Sequence, residues 1–170
     1  MPTTAIYAGS FDPITRGHED LINRSCEFVD HLVVAVAVNS SKKALFTTDE
    51  RVELIRAATV DNRCVEVTSF EGLLVDFARK LGAKFNIRGL RAVSDFEYEM
   101  EMAQMNYRLA EVETLFMTAN PLYSFLRSSL VKEIARYGGD VSGLVPQVVL
   151  ARLRDRLSLP QPEDAPGSAR

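Results

Sequence analysis

The run HLVVAVAVN, residues 31–39, puts apolar side chains on both faces of any strand it forms. A strand with one wet face would alternate polar and apolar residues; a near-continuous Val/Ala run needs cover above and below, as a parallel sheet flanked by helices provides. Four more β-rich runs, AIYAG (5–9), VEVTSF (65–70), KFNIRG (84–89) and ETLFMTA (113–119), alternate with helical patterns. Strand and helix in strict alternation read as βαβ units. The expected fold is α/β: a single doubly wound, Rossmann-like domain with a five-stranded parallel sheet and helices on both faces.

Local signals agree with that frame. Thr47 with Glu50, and Ser94 with Glu97, have the spacing of helix capping boxes, while Gly82 and Gly138 suit helix stops. Pro146 fits the first turn of a last helix, PQVVLARLRDRL, and the pattern places Leu21, Ile22, Ser25, Phe28 and Val29 on one helical face with His18. The folded domain is expected over 1–157. SLPQPEDAPGSAR, 158–170, has three prolines and little to bury, and reads as a disordered tail.

Composition excludes several function classes. No apolar run approaches the ~20 residues that span a bilayer, and MPTTAIYAG lacks a secretory pattern, so the chain reads as cytoplasmic with no membrane partner. A formal charge of −3 speaks against a nucleic-acid surface, so a polyanionic ligand must meet locally concentrated cations. Cys26 and Cys64 lie in separate elements without a C-x-x-C pair or a His cluster, which favours two buried reduced thiols over a metal site.

Open parallel sheets bind ligands beyond the carboxyl ends of their strands. Four segments there are unusual: SFDPITRGH, then SSKK with Lys42 and Lys43, then RGLR with Arg88 and Arg91, then NPLYSFLRSS. Neither a dinucleotide fingerprint nor a P-loop is present in the first. Instead Gly17 clears the start of a helix for an anion, His18 adds a side-chain donor, and Ser10 adds a hydroxyl at the strand tip. A His after a Gly is by itself more often structural; the cations near it tip the balance toward function. His31 has no such company and reads as structural. Of Lys42 and Lys43, one is expected to act. Arg88 and Arg91 suit bidentate phosphate contacts, against the plainer reading of surface pairs with Asp95 or Glu97. Met102, Met105 and Leu109 share a helix face that reads first as core or subunit contact and second as ligand lining.

With these residues in place, the sequence resembles the bacterial phosphopantetheine adenylyltransferases of the nucleotidylyltransferase superfamily. GSFDPITRGH matches the superfamily's H/T-x-G-H signature in its Thr form, and IRGLR, DFEYE, MAQMN and YSFLRSSLVKE follow in the family's order and register. The resemblance implies adenylyl transfer from ATP to 4′-phosphopantetheine, giving dephospho-coenzyme A and pyrophosphate. It implies nucleotide contacts at Ser10, Phe11, His18, Gly89, Leu90, Arg91, Glu99, Tyr123, Ser124, Phe125, Leu126, Arg127, Ser128 and Ser129. Acceptor contacts fall at Ser10, Lys42, Leu74 and Arg88, with Met105 and Asn106 beside the pantetheine arm. His18, Lys42 and Arg91 would be catalytic, and Mg²⁺ would arrive with ATP without a dedicated protein cage. Coenzyme A as a feedback ligand and a homohexameric assembly are further implications. One departure stands out: the family's last block usually reads S-F-I/V-S-S-S, and Arg127 here stands where a serine is usual, free to pair with phosphate or to turn outward. The rival readings are a sibling nucleotidylyltransferase with another phosphate acceptor and a non-catalytic nucleotide-sensing module.

Overall fold

The computed structural model describes residues 2–39, 43–91 and 93–157, with the side chains of residues 93–95 left aside. Strands β1 (Thr4–Gly9), β2 (His31–Ala37), β3 (Val65–Phe70), β4 (Phe85–Leu90) and β5 (Glu113–Thr118) form one parallel sheet in the order β3-β2-β1-β4-β5. Helices α1 (Arg16–Ser25), α2 (Thr48–Ala58), α3 (Leu74–Leu81), α4 (Val93–Ala110), α5 (Ser128–Arg136) and α6 (Gln147–Leu157) accompany it, with a 3-10 turn at Pro121–Tyr123. The doubly wound expectation holds.

The second strand is covered on both faces, as its composition requires. Leu32, Val34 and Val36 join one core with Leu21 and Ile22 of α1, Leu54 and Ile55 of α2 and Val131 of α5. Val33 and Ala35 face the other way, into a smaller core with Val75 and Ala78 of α3. Each fully buried Val or Leu contributes about 1.5–3 kcal/mol, so a shift of register that exposed either face would be heavily penalised. The strand stops at Ala37, two residues short of the expected end, although the Val38 amide still donates to the Phe70 carbonyl.

Several helix signals are seen directly. Thr47 and Glu50 make the expected capping box, Gly82 ends α3 at φ 64°, and the Pro146 carbonyl accepts from the Val149 and Leu150 amides. The Ser94/Glu97 box involves a side chain outside the described residues, and α4 begins at Val93. Helix α1 closes at Ser25, so Phe28 falls beyond it and is 48% exposed while Val29 is buried. The thiols are half-buried rather than buried, and although they lie in separate elements those elements meet: Cys26, just after α1, neighbours Cys64 before β3. Burial first, and then the neighbouring Cys64, push the Cys26 thiol up to about 12. The expected tail, 158–170, lies outside the described residues.

One carboxylate ties the loops at the carboxyl edge together. Asp12, 6% exposed, accepts from the Leu45 and Phe46 amides at 3.0 and 2.9 Å and from Lys132 Nζ of α5 at 2.6 Å. Burial would raise its pKa, but the bonds from Lys132 and the two amides outweigh burial and hold it below the ordinary value. Arg51 of α2 adds a bond to the Ser10 carbonyl at 2.8 Å. Breaking a buried pair by removing one partner typically costs about 3–5 kcal/mol. Asp12→Ala is therefore expected to lose stability of that order in urea unfolding; a loss below about 1 kcal/mol would contradict the tie.

Candidate active site

A cavity of about 330 Å³ opens between the carboxyl ends of β1 and β4, where the strand order reverses. That reversal leaves a crevice, because the connections on either side run away from each other. Ser10 and Phe11 enter from β1, His18 from α1, Arg88, Gly89 and Arg91 from β4, and Glu99 from α4. Tyr123, Leu126, Arg127 and Ser128 close it from the segment after β5. Residues about 120 positions apart thus meet.

His18 is built into the start of α1. The Thr15 side chain caps the His18 amide, and the Thr15 amide donates back to His18 Nδ1 at 3.0 Å, a capping box with imidazole in place of the usual carboxylate. A ring nitrogen that accepts an N–H carries no proton of its own, so the neutral ring bears its proton on Nε2. Burial, then Arg91, then Arg88, push the His18 pKa down to about 4. The imidazole is therefore neutral at physiological pH, with one nitrogen occupied and the other a donor. Phe11 packs edge-on against the ring with centroids 5.0 Å apart, and takes φ 45° to do so. A bulky residue rarely adopts that conformation without tertiary support. Gly17 sits against Tyr123, whose Cβ would lie 3.4 Å from an added methyl, so the glycine lets this wall approach the helix start.

Arg88 is held rather than loose. Its Nε and Nη2 grip Glu99 at 2.7 and 2.5 Å, and Nη1 donates to the Ala8 carbonyl at 2.9 Å. Burial works against its charge, but the Glu99 bonds outweigh it and raise its pKa above the ordinary value. Among the described side chains its partner is Glu99 rather than Glu97, while the side chain of Asp95 lies outside the described residues. Arginine has five N–H donors, and these bonds use three, leaving two for a ligand. Arg91 donates to the Leu126 carbonyl at 3.4 Å, linking the β4 and β5 segments.

Comparisons with known proteins fit this geometry. The model of the cytidylyltransferase-like family matches residues 6–134. A phosphopantetheine adenylyltransferase of Frankia casuarinae is 60% identical over 158 residues, covering 91% of this chain and 98% of its own. Those of Thermobifida fusca and Streptomyces coelicolor are 56% and 55% identical, covering 88% and 90% of this chain and 91% and 96% of their own. The chain belongs to the phosphopantetheine adenylyltransferase family. A solved Vibrio parahaemolyticus structure, described as a nicotinate-nucleotide adenylyltransferase, superposes with a TM-score of 0.68 at 17% identity, covering 90% of this chain and 99% of its own. At that identity it supports the fold alone.

Not every residue that the family pattern suggests lines this cavity. Leu74 and Asn106 line a smaller adjoining one, while Met105 is 52% exposed and Met102 takes the place in the wall. Ser129 lines a third, with Ser10, Lys43 and Ser128. The Leu90 carbonyl accepts from the Ala119 amide, Ser124 Oγ donates to the Pro121 carbonyl at 3.2 Å, and Phe125 is exposed. Lys42 lies outside the described residues. Sequence reasoning quoted Thr15 as the Thr of the T-x-G-H signature but gave it no role, and it missed Tyr7 and Tyr98. Only Thr15 left a signal, since it precedes His18 by the three residues of a capping box.

His18 titrates near its ordinary value once the chain unfolds, but only near 4 in the fold. Between those values the unfolded chain binds the extra proton, so acid costs the wild type stability. Against His18→Gln, the wild type is expected to lose stability progressively from about pH 6.5 to pH 4.5. A gap between their urea midpoints that does not change with pH would contradict the buried neutral imidazole.

Proposed function

We propose that the chain transfers the adenylyl group of ATP to 4′-phosphopantetheine by direct in-line attack, giving dephospho-coenzyme A and pyrophosphate in coenzyme A biosynthesis. The observation that carries this reading is the gathering of Arg88, Arg91, a neutral His18 and the start of α5 around one crevice. The relatives named above are phosphopantetheine adenylyltransferases.

The acceptor phosphate carries about −1.5 to −2 charge at neutral pH, so it arrives as a competent nucleophile and needs no general base. The obstacle is repulsion. Two negative charges about 4 Å apart repel by roughly 4 kcal/mol at an effective dielectric of 20, and several such pairs must meet. Catalysis then consists of charge neutralisation and alignment. An acceptor oxygen bonds to the α-phosphorus as the bond to the pyrophosphate oxygen breaks, with no covalent enzyme intermediate. His18 Nε2–H donates to the α-phosphate as charge builds there; with Nδ1 already accepting from Thr15, the ring acts as a donor rather than a base. Arg88 and Lys42 take the acceptor phosphate. Arg91, Arg127 and the amides that open α5 take the β,γ-phosphates. Arg127 lines the cavity with no partner among the described residues.

Among the described residues, Glu99 is the carboxylate that lines the crevice and Arg88 engages it, while Asp12 nearby is engaged by Lys132. Magnesium fits here as part of the MgATP substrate. Coenzyme A carries both halves of the product and competes for the same crevice as a feedback ligand. The protein works in the cytoplasm; among the described residues no helix is long and apolar enough to cross a membrane.

Assembly follows from α4. It leaves Phe96, Met100, Met102, Met105, Tyr107 and Leu109 exposed, and large apolar side chains gathered on one exposed helix suit an interaction surface. Copies of the chain cover it in a homohexamer. Light scattering should give a mass near six chains; a monomer at assay concentration would overturn that assembly.

Pyrophosphate release is the direct test of activity. It is expected with ATP and 4′-phosphopantetheine and not with nicotinamide mononucleotide; the reverse result would indicate a sibling transferase, and no turnover a sensing module. His18→Ala is expected to lower kcat by about 10²- to 10³-fold, and near-normal kcat would remove His18 from the chemistry.

A further inference from the structure

A second cavity, of about 140 Å³, opens between β4, β5 and α4 and shares Arg88, Tyr98 and Glu99 with the reaction cavity. Its floor is polar beside an apolar stretch of the same sheet face on β1 and β2. Ile6, Ala8, Val33 and Ala35 on β1 and β2 pack there against Val75 and Ala78 of α3. On β4 and β5 the same face carries Asn86 and Thr114, which lie side by side in register. Asn86 is 3% exposed, and its Oδ1 and the Thr114 Oγ1 are buried without a hydrogen-bond partner among the described residues. Asn106, 6% exposed, lines the same cavity from α4, with Leu74 and Met102 as apolar walls.

Buried polar atoms are rarely left unpaired, because nothing repays the hydration they lose. An apolar pair at these positions would have continued the adjoining core. Two orphans facing one cavity therefore indicate that something else supplies their bonds. Asn86 Oδ1 calls for a donor, and the Thr114 hydroxyl can donate or accept. A secondary amide, with one N–H and one carbonyl, satisfies both.

Residues two apart on a strand share a face about 6.6 Å apart, so Asn86 stands that far from the Arg88 that takes the acceptor phosphate. 4′-Phosphopantetheine carries its first amide a few bonds beyond its phosphate. We infer that Asn86 and Thr114 bind the acceptor amide nearest the phosphate, Asn86 Oδ1 accepting its N–H and the Thr114 hydroxyl donating to its carbonyl. Leu74 and Met102 then flank the methylenes beyond. This assignment rests on the adenylyl-transfer reading. It makes the smaller cavity a reader of the acceptor's arm, separate from the phosphate contacts.

The test uses Asn86→Leu and Thr114→Val with steady-state kinetics, thermal melting, and an acceptor analogue in which an ester oxygen replaces the nearest amide N–H. Each variant is expected to raise KM for 4′-phosphopantetheine about tenfold while leaving kcat and the KM for ATP in place. The wild type should discriminate against the ester acceptor by a similar factor, and Asn86→Leu should not. Without acceptor, Asn86→Leu should melt above the wild type, because it removes an unpaired oxygen. An unchanged acceptor KM, equal use of amide and ester by the wild type, or an Asn86→Leu protein that melts lower or fails to fold would each overturn the assignment. A wild type that releases no pyrophosphate would instead remove the function on which it rests.

Discussion

Parallel strands cannot be joined by tight hairpins. Each must be followed by a crossover that returns the chain to the same starting edge, so every strand ends on the same side of the sheet. The whole site depends on that constraint. It brings the tips of β1, β4 and β5 to one crevice without any local sequence contact between them. The apolar character of β2 enforces it, because a strand buried on both faces has no stable place except inside such a sheet.

On that frame the charges are arranged so that a chain of net charge −3 still offers a cationic crevice. Arg88 and Arg91 are both fixed by protein acceptors, Glu99 and the Ala8 and Leu126 carbonyls. Fixing them in advance lowers the cost of ordering long side chains when phosphates arrive. The same two arginines help keep His18 neutral, so the imidazole adds a hydrogen bond to the crevice without adding to its repulsive cationic load. Asp12 plays the complementary part. It neutralises Lys132 and anchors Leu45 and Phe46, after β2, to the segment that follows β1.

Most of the strand layout was legible in the sequence, because burial of β-branched runs and helix punctuation are local signals. The crevice residues His18, Arg88 and Arg91 were legible too, since they follow strands whose ends had to converge. The partners of those residues were not. Glu99 rather than Glu97 meets Arg88 because of how α4 is phased over β4, which spacing along α4 leaves undetermined. Met102 rather than Met105 lines the smaller cavity for the same reason. Cys26 and Cys64 meet because the end of α1 packs beside the turn before β3, a contact between elements 38 positions apart.

The sequence by itself determined the class of fold, the order of elements and the edge at which chemistry could occur, because all three follow from periodicity and from the handed, one-way geometry of parallel strands. Only the tertiary structure decided the protonated nitrogen of His18, the counter-charge of Arg88 and the unpaired oxygens of Asn86 and Thr114. Those are properties of distance and desolvation between side chains from different elements, and they exist only once the elements have packed.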